Sequence, residues 1–325
     1  MNSEYRSLSV FQLENTFEKE NYSVEIFARD KSIFTIEKIN NEQNINFDHD
    51  NDECISIGSR SGIFELEIEY FSNTSDGSIT DRKTNTLDNN HIAWLRNILN
   101  KTPSISYLSL DTNFIQNCIY SNFIKDKFSP TQFHDPVVTI LIPRLLILEI
   151  EHKYNRTKEG TPKVKQKEKR IAFNNMGEIL RLIEDGARTT PKLNYSRIRE
   201  FSSIAGGKFT DSFIRMETSD YVTPISANPP IFFFFYLMNA MAATAEGMDC
   251  LYFHVIDKIR KNLNISLLIY QCAIEFDECQ ISFNDTNTSK EFSVLAMWSG
   301  KTPFEWKRNI IKISEQFESS KTEQL

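Results

Sequence analysis

Three acidic residues stand beside the apolar runs of an alternating strand and helix pattern. Asp111 directly follows the apolar run Ile105-Ser-Tyr-Leu-Ser-Leu. Glu149 lies in the helical pattern after Val137-Val-Thr-Ile-Leu-Ile, and Asp211 opens a short helical pattern ahead of Ile231-Phe-Phe-Phe-Phe-Tyr. Open α/β sheets bind ligands at the carboxyl ends of their parallel strands, so this order gathers the acids where such a fold keeps its site. Clustered carboxylates repel and raise one another's pKa, and a hard divalent cation such as Mg²⁺ or Mn²⁺ with oxygen ligands removes that cost. A metal so held activates water and stabilises charge on a phosphoryl oxygen. Taken singly, each acid has an ordinary alternative: Asp111 and Asp211 as helix caps, Glu149 as a surface residue of an amphipathic helix. Asn113 and Asn239 are further oxygen donors near the same turns.

Other groups are weaker candidates. Lys163, Lys165, Lys167, Lys169 and Arg170 follow Glu149 in a stretch that Gly160 and Pro162 mark as a loop. Such a loop either holds a nucleic-acid backbone, with salt-sensitive affinity, or is a solvated connection. Arg215, one turn after Asp211, can meet a phosphate or that carboxylate. Ser299-Gly-Lys-Thr302 resembles the end of a phosphate-binding loop but lacks the Gly-rich segment before it. His49, His91, His134, His152 and His254 show no metal-ligand spacing, and no nucleophile elbow appears.

The elements that would position the acids read as follows. Continuous apolar runs suit strands buried on both faces, as in a parallel sheet. The runs ending at Asp111, at Pro143 and at Tyr236 alternate with helical patterns at 114–124, 145–153, 170–185, 211–216 and 239–246. That alternation predicts an α/β domain with a mostly parallel sheet. Before residue 91 the chain reads differently. Tyr22-Ser-Val-Glu-Ile-Phe-Ala, Ser32-Ile-Phe-Thr-Ile-Glu and Gly62-Ile-Phe-Glu-Leu-Glu-Ile-Glu-Tyr alternate apolar with polar residues, the period of half-buried antiparallel strands. Residues 40–52 have loop composition, 72–90 read as a polar linker, and 91–99 as a short amphipathic helix. In the tail, Ala273-Ile-Glu-Phe, Gln280-Ile-Ser-Phe and Phe292-Ser-Val-Leu-Ala-Met-Trp read as strands, and 302–317 as an amphipathic helix. The spans expected are a β-rich accessory domain (1–90), the α/β domain (91–257) and a mixed α/β extension (258–325).

Leu108-Ser-Leu-Asp-Thr-Asn-Phe-Ile resembles the opening motif of PIN-domain nucleases of the archaeal and bacterial type. Ile142-Pro-Arg-Leu-Leu-Ile-Leu-Glu-Ile-Glu resembles the second motif and Thr210-Asp-Ser-Phe-Ile-Arg the third. Met238-Asn-Ala-Met-Ala-Ala-Thr-Ala-Glu-Gly-Met-Asp resembles the helix after the last core strand. The likeness covers roughly residues 104–255. It implies a three-layer α/β/α core and a metal-dependent endoribonuclease, with Asp111, Glu149 and Asp211 as catalytic metal ligands for Mg²⁺ or Mn²⁺, and RNA as substrate. The sequence departs from the family at Tyr236, which stands where members carry a further Asp. A PIN-like module that binds nucleic acid or protein without chemistry is therefore the alternative, and a phosphomonoesterase using the same acids a third reading.

Composition narrows the partners. The formal charge is -7 and the hydrophobic fraction 40%, so any nucleic-acid contact must come from a local patch and not from the overall field. Cys54, Cys118, Cys250, Cys272 and Cys279 form no Cys-x-x-Cys pair and read as free thiols of a reducing compartment. The residues after Met1 show no signal-peptide pattern, and 229–238 is too short to span a bilayer. A cytoplasmic location is expected, away from the membrane, with a homo-oligomer or protein partner met through the β-rich flanks.

Overall fold

The computed structural model of this protein describes residues 6–9, 21–39, 42–73, 79–80, 85–86, 106–124, 138–155, 162–191, 210–226, 229–260, 263–285 and 290–316. The helix expected at 91–99, His134, most of the linker at 72–90 and Gly160 lie outside them. In chain order the elements begin with β1 (Arg6–Ser9), β2 (Tyr22–Ala28), β3 (Lys31–Ile39), β4 (Glu42–Phe47), α1 (Asp52–Ser61), β5 (Phe64–Asn73), β6 (Ile79–Thr80) and β7 (Asn85–Thr86). Next come β8 (Ser106–Leu110), α2 (Thr112–Gln116), a π-helical turn (Tyr120–Ile124), β9 (Val138–Ile142), α3 (Arg144–Asn155), α4 (Pro162–Glu184), β10 (Arg188–Thr189) and α5 (Thr210–Val222). The last are β11 (Ile231–Phe234), α6 (Leu237–Ala245), β12 (Asp249–Ile259), α7 (Ile265–Phe276), β13 (Glu278–Asp285), β14 (Lys290–Trp298), α8 (Pro303–Arg308) and β15 (Ile310–Gln316).

The chain folds as two compact units. One comprises Met1–Phe64, Gly160–Gly177 and Ile259–Leu325, the other Glu65–Glu159 and Glu178–Lys258. The strand-rich segment expected as a separate N-terminal domain thus closes with the tail, and residues 160–177 join that unit instead of the acid-bearing one.

The first unit is built on a seven-stranded sheet in the order β1-β15-β14-β13-β2-β3-β4. Its neighbouring strands all pair antiparallel. Strand β2 alternates buried and half-buried positions, as its sequence period demands. Helix α7 packs on this sheet and against α1. Four expectations are corrected in this unit. Residues 40–52 contain β4, whose Ile45 is buried against β3. Ala273–Phe276 closes helix α7, because ten of that helix's residues are buried and its all-round apolar sequence carries no period to separate helix from strand. The tail helix stops at Arg308, where Asn309 takes a left-handed conformation (φ 49), and 310–316 pair with β14 as a strand. The basic stretch is helical, and Pro162 opens α4 at the position where its missing N–H costs nothing.

The second unit is mixed α/β with a mostly parallel, eight-stranded sheet in the order β10-β9-β8-β11-β12-β5-β6, with β7 on β5. Strands β10, β9, β8, β11 and β12 are mutually parallel. Residues 231–234 of β11 are buried on both faces, which explains the uninterrupted Ile-Phe-Phe-Phe. From β8 the chain steps outward to β9 and β10, then returns to the other side of β8 for β11 and β12. The gap between the carboxyl ends of β8 and β11 is therefore the point at which the strand order reverses, where open α/β sheets bind ligands.

Candidate active site

Asp111 sits at that reversal point and is fixed by backbone on three sides. Its N–H continues the ladder by donating to the Phe233 carbonyl at 3.2 Å. Its Oδ1 accepts from the Phe114 N–H at 2.7 Å, capping α2, and its Oδ2 faces the Phe235 N–H at 3.5 Å, the outer limit of such a bond. The residue is 2% exposed. Burial pushes its carboxyl up to about 7, with the charges of Asp211 and Glu149 pushing the same way and the two amides only partly opposing them. Both acids lie near enough for their charge to act on Asp111, so the three acids share one neighbourhood.

Glu149 and Asp211 are each turned onto a neutral partner. The Thr112 hydroxyl donates to Glu149 Oε2, and the Asn239 amide donates to Asp211 Oδ2 at 2.9 Å. Asn239 comes from the first turn of α6, so it links the helix after β11 to the first turn of α5. Among the described residues, no three His, Cys, Asp or Glu side chains are drawn together tightly enough to form a metal-ligand set. Coulombic coupling reaches well past a ligand bond of about 2 Å, so acids can perturb one another without sharing an ion. The donors are all oxygens, which suits a hard dication. The Thr112 and Asn239 bonds each use one oxygen of a carboxylate and leave further lone pairs for a cation. Asn113 follows on the first turn of α2 and is half-buried.

Among the expected cationic residues, Arg215, Lys167 and Arg170 are engaged with other acids. Arg215 is buried and forks onto Glu246, Nε to Oε2 at 2.9 Å and Nη2 to Oε1 at 2.6 Å, with Ser212 Oγ at 3.1 Å. This pairing holds the Glu246 carboxyl below its ordinary range. Lys163, Lys165, Lys167, Lys169 and Arg170 all belong to the first unit. There Lys167 pairs with Glu53 and Glu275, and buried Arg170 donates to the carbonyls of Ile274 and Glu275 and to Asp277.

Sequence reasoning missed two supporting residues. Glu217 on α5 is buried and accepts the N–H groups of Arg144 and Leu145 at 2.9 and 3.0 Å, and the Thr190 hydroxyl. An anion on these amides fixes the start of the helix that carries Glu149. The other is Thr112, whose hydroxyl holds Glu149 across 37 residues, a separation that leaves no local signal. The Ser299–Thr302 segment caps the six-residue α8 through a Thr302–Glu305 capping box. All five cysteines are free and buried, and no helix among the described residues is long and apolar enough to cross a membrane. No protein-family model, curated protein or solved structure matches the chain.

Proposed function

We propose that the second unit is a PIN-like domain with a three-layer α/β/α core, and a metal-dependent endoribonuclease. The observation that carries this is Asp111: a buried carboxylate at the sheet's reversal point, burdened by two further acids and offset by no cation among the described residues. Structural acids are normally paired when buried. An uncompensated one in a ligand-binding position is a functional-site signature. Asp111, Glu149 and Asp211 would hold Mg²⁺ or Mn²⁺, with the amide oxygens of Asn113 and Asn239 in support. The bound ion supplies an activated water and neutralises charge at the phosphodiester. The chain's own part is positional. Backbone amides lock Asp111, Glu217 anchors the helix of Glu149, and Thr112 and Asn239 each orient one oxygen of the other two carboxylates.

A second reading, a binding module without chemistry, is favoured by Tyr236. It occupies the turn after β11 where an acid would complete the cluster, and it is 60% exposed. Cleavage of a mixed single-stranded and structured RNA pool with Mn²⁺ or Mg²⁺ separates the two. The nuclease reading expects metal-dependent cleavage that falls at least about a hundredfold in Asp111→Asn. Silence with both metals defeats that reading, and Tyr236→Asp then tests whether this one position explains it. Hydrolysis of a small phosphomonoester in preference to RNA would redirect the assignment to a phosphatase.

A further inference from the structure

Strand β4 ends the seven-stranded sheet of the first unit, and among the described residues no strand pairs with its outer side. The backbone N–H and C=O groups on that side form an open template for another strand. Proteins ordinarily blunt such edges by keeping them short, by placing Lys or Pro there, or with a bulge. The other sheet ends follow that rule, since β1 has four residues and β10 and β6 two each. Strand β4 does not. It runs six residues, Glu42-Gln-Asn-Ile-Asn-Phe47, with one charge at its first position and neither Lys nor Pro, and its register with β3 shows no shift.

Both ends of this edge are pinned. Gln43 Nε2 donates to the Tyr22 hydroxyl at 3.0 Å, and Gln43 Oε1 accepts the Leu263 N–H at 3.0 Å. The Phe47 ring lies 5.7 Å from that of Phe34, 5.6 Å from Phe64 and 4.1 Å from His49. Between them Ile45 is buried, whereas Asn44 and Asn46 are exposed on the opposite face. A strand held in this way loses little further freedom when it pairs.

We propose that β4 pairs antiparallel with β4 of a second copy of this chain, about a two-fold axis at Ile45, so that two seven-stranded sheets become one. Opposed side chains of an antiparallel pair share a face, so a two-fold axis at Ile45 sets that residue against its own copy and extends the buried row of Ile36 and Ile45. On the open face it sets Asn44 of each copy against Asn46 of the other, where side-chain amides bond in ladders. Glu42 of each copy then faces Asp48 of the other, and this like charge closes the ladder beyond Gln43 and Phe47. The occupant is a second copy and not a foreign strand because the edge is complementary to itself. Five residues from each copy are far fewer than the roughly 20 or more of a standard interface, so the association is weak and reversible. The inference is independent of the reading of the acidic site.

The test is sedimentation velocity of the intact chain over a wide concentration range, with hydrogen exchange of Glu42–Phe47 followed in parallel. The native protein is expected to dimerise as concentration rises, with exchange in that strand slowing in step. Asn44→Lys/Asn46→Lys places two like-charged pairs across the axis and should weaken dimerisation about tenfold or more. Asn44→Lys/Asn46→Glu makes both pairs opposite in charge and should restore it to within about threefold of native. Both positions are exposed, so an unchanged urea midpoint in each variant shows that the fold is intact. A native chain that stays monomeric at every concentration leaves the edge to a foreign strand and overturns the self-pairing. Dimerisation that ignores both double variants, or falls equally in both, overturns it as well.

Discussion

Each unit buries a carboxylate almost completely, and the two are treated in opposite ways. In the first unit Glu275 is met by Arg60 at 2.6 Å and by Lys167. Burial alone would raise its carboxyl, but these two cations hold it below its ordinary range. In the second unit Asp111 meets only backbone amides and two further acids, and its carboxyl rises to about 7. The contrast separates an acid that organises a core from one kept at a cost. A compensated buried charge is explained by its partners, whereas an uncompensated one implies a role that folding does not supply.

The sharpest way to break this contrast is Asp111→Asn. Asn keeps the helix cap and removes the charge. Because the folded pKa lies above the unfolded one, the native chain holds a proton that the unfolded chain releases. The associated stability is fully present below about pH 4 and is lost as pH rises through about 7. A shift of this size corresponds to roughly 4 kcal/mol. Asp111→Asn is therefore expected to stabilise the second unit by about that amount at pH 8 and by little near pH 4, as read by urea denaturation across pH. A variant as pH-sensitive as the native chain would show that Asp111 is not the strained group. Glu275→Gln should act in the opposite sense and destabilise the first unit by about 3 kcal/mol, since it leaves Arg60 buried without its anion. A cost below about 1 kcal/mol in the same assay would mean the Arg60 pair contributes little. The smallest effect concerns ligand. Mn²⁺ at a hundred times its dissociation constant should protect the second unit by about 2.7 kcal/mol in the native protein and not in Asp111→Asn, as followed by thermal unfolding. Equal protection of both proteins would place the ion elsewhere.

The parts of this architecture legible in the sequence are those whose burial is local in pattern. Strands β8, β9 and β11 announce themselves because burial on both faces leaves an apolar run, unbroken in β11 and interrupted only by Ser or Thr in β8 and β9, and β2 and β3 because burial on one face leaves a period of two. Helix α7 is hidden by its own burial, since an all-apolar helix has no stripe. The switch from α8 to β15 turns on the single left-handed residue Asn309, which the amphipathic spacing of 302–317 does not register. Asp111 was legible because it ends a strand, and Glu149 and Asp211 because they lie on helical patterns next to apolar runs. The partners that define their state were not. Asp111 meets Phe235 only because β8 lies beside β11, 124 residues away in sequence. Arg215 reaches Glu246 across 31 residues, so spacing alone could not show that its guanidinium was already engaged.

The buried thiols make each unit report on its own opening. Cys54, Cys272 and Cys279 lie in the first unit, Cys118 and Cys250 in the second. Burial pushes the thiols of Cys250 and Cys279 up to about 12, so the reactive thiolate is scarce as well as shielded while the protein is closed. A pulse of alkylating reagent followed by peptide mapping therefore times the transient opening of either half separately, with no label added and no residue changed.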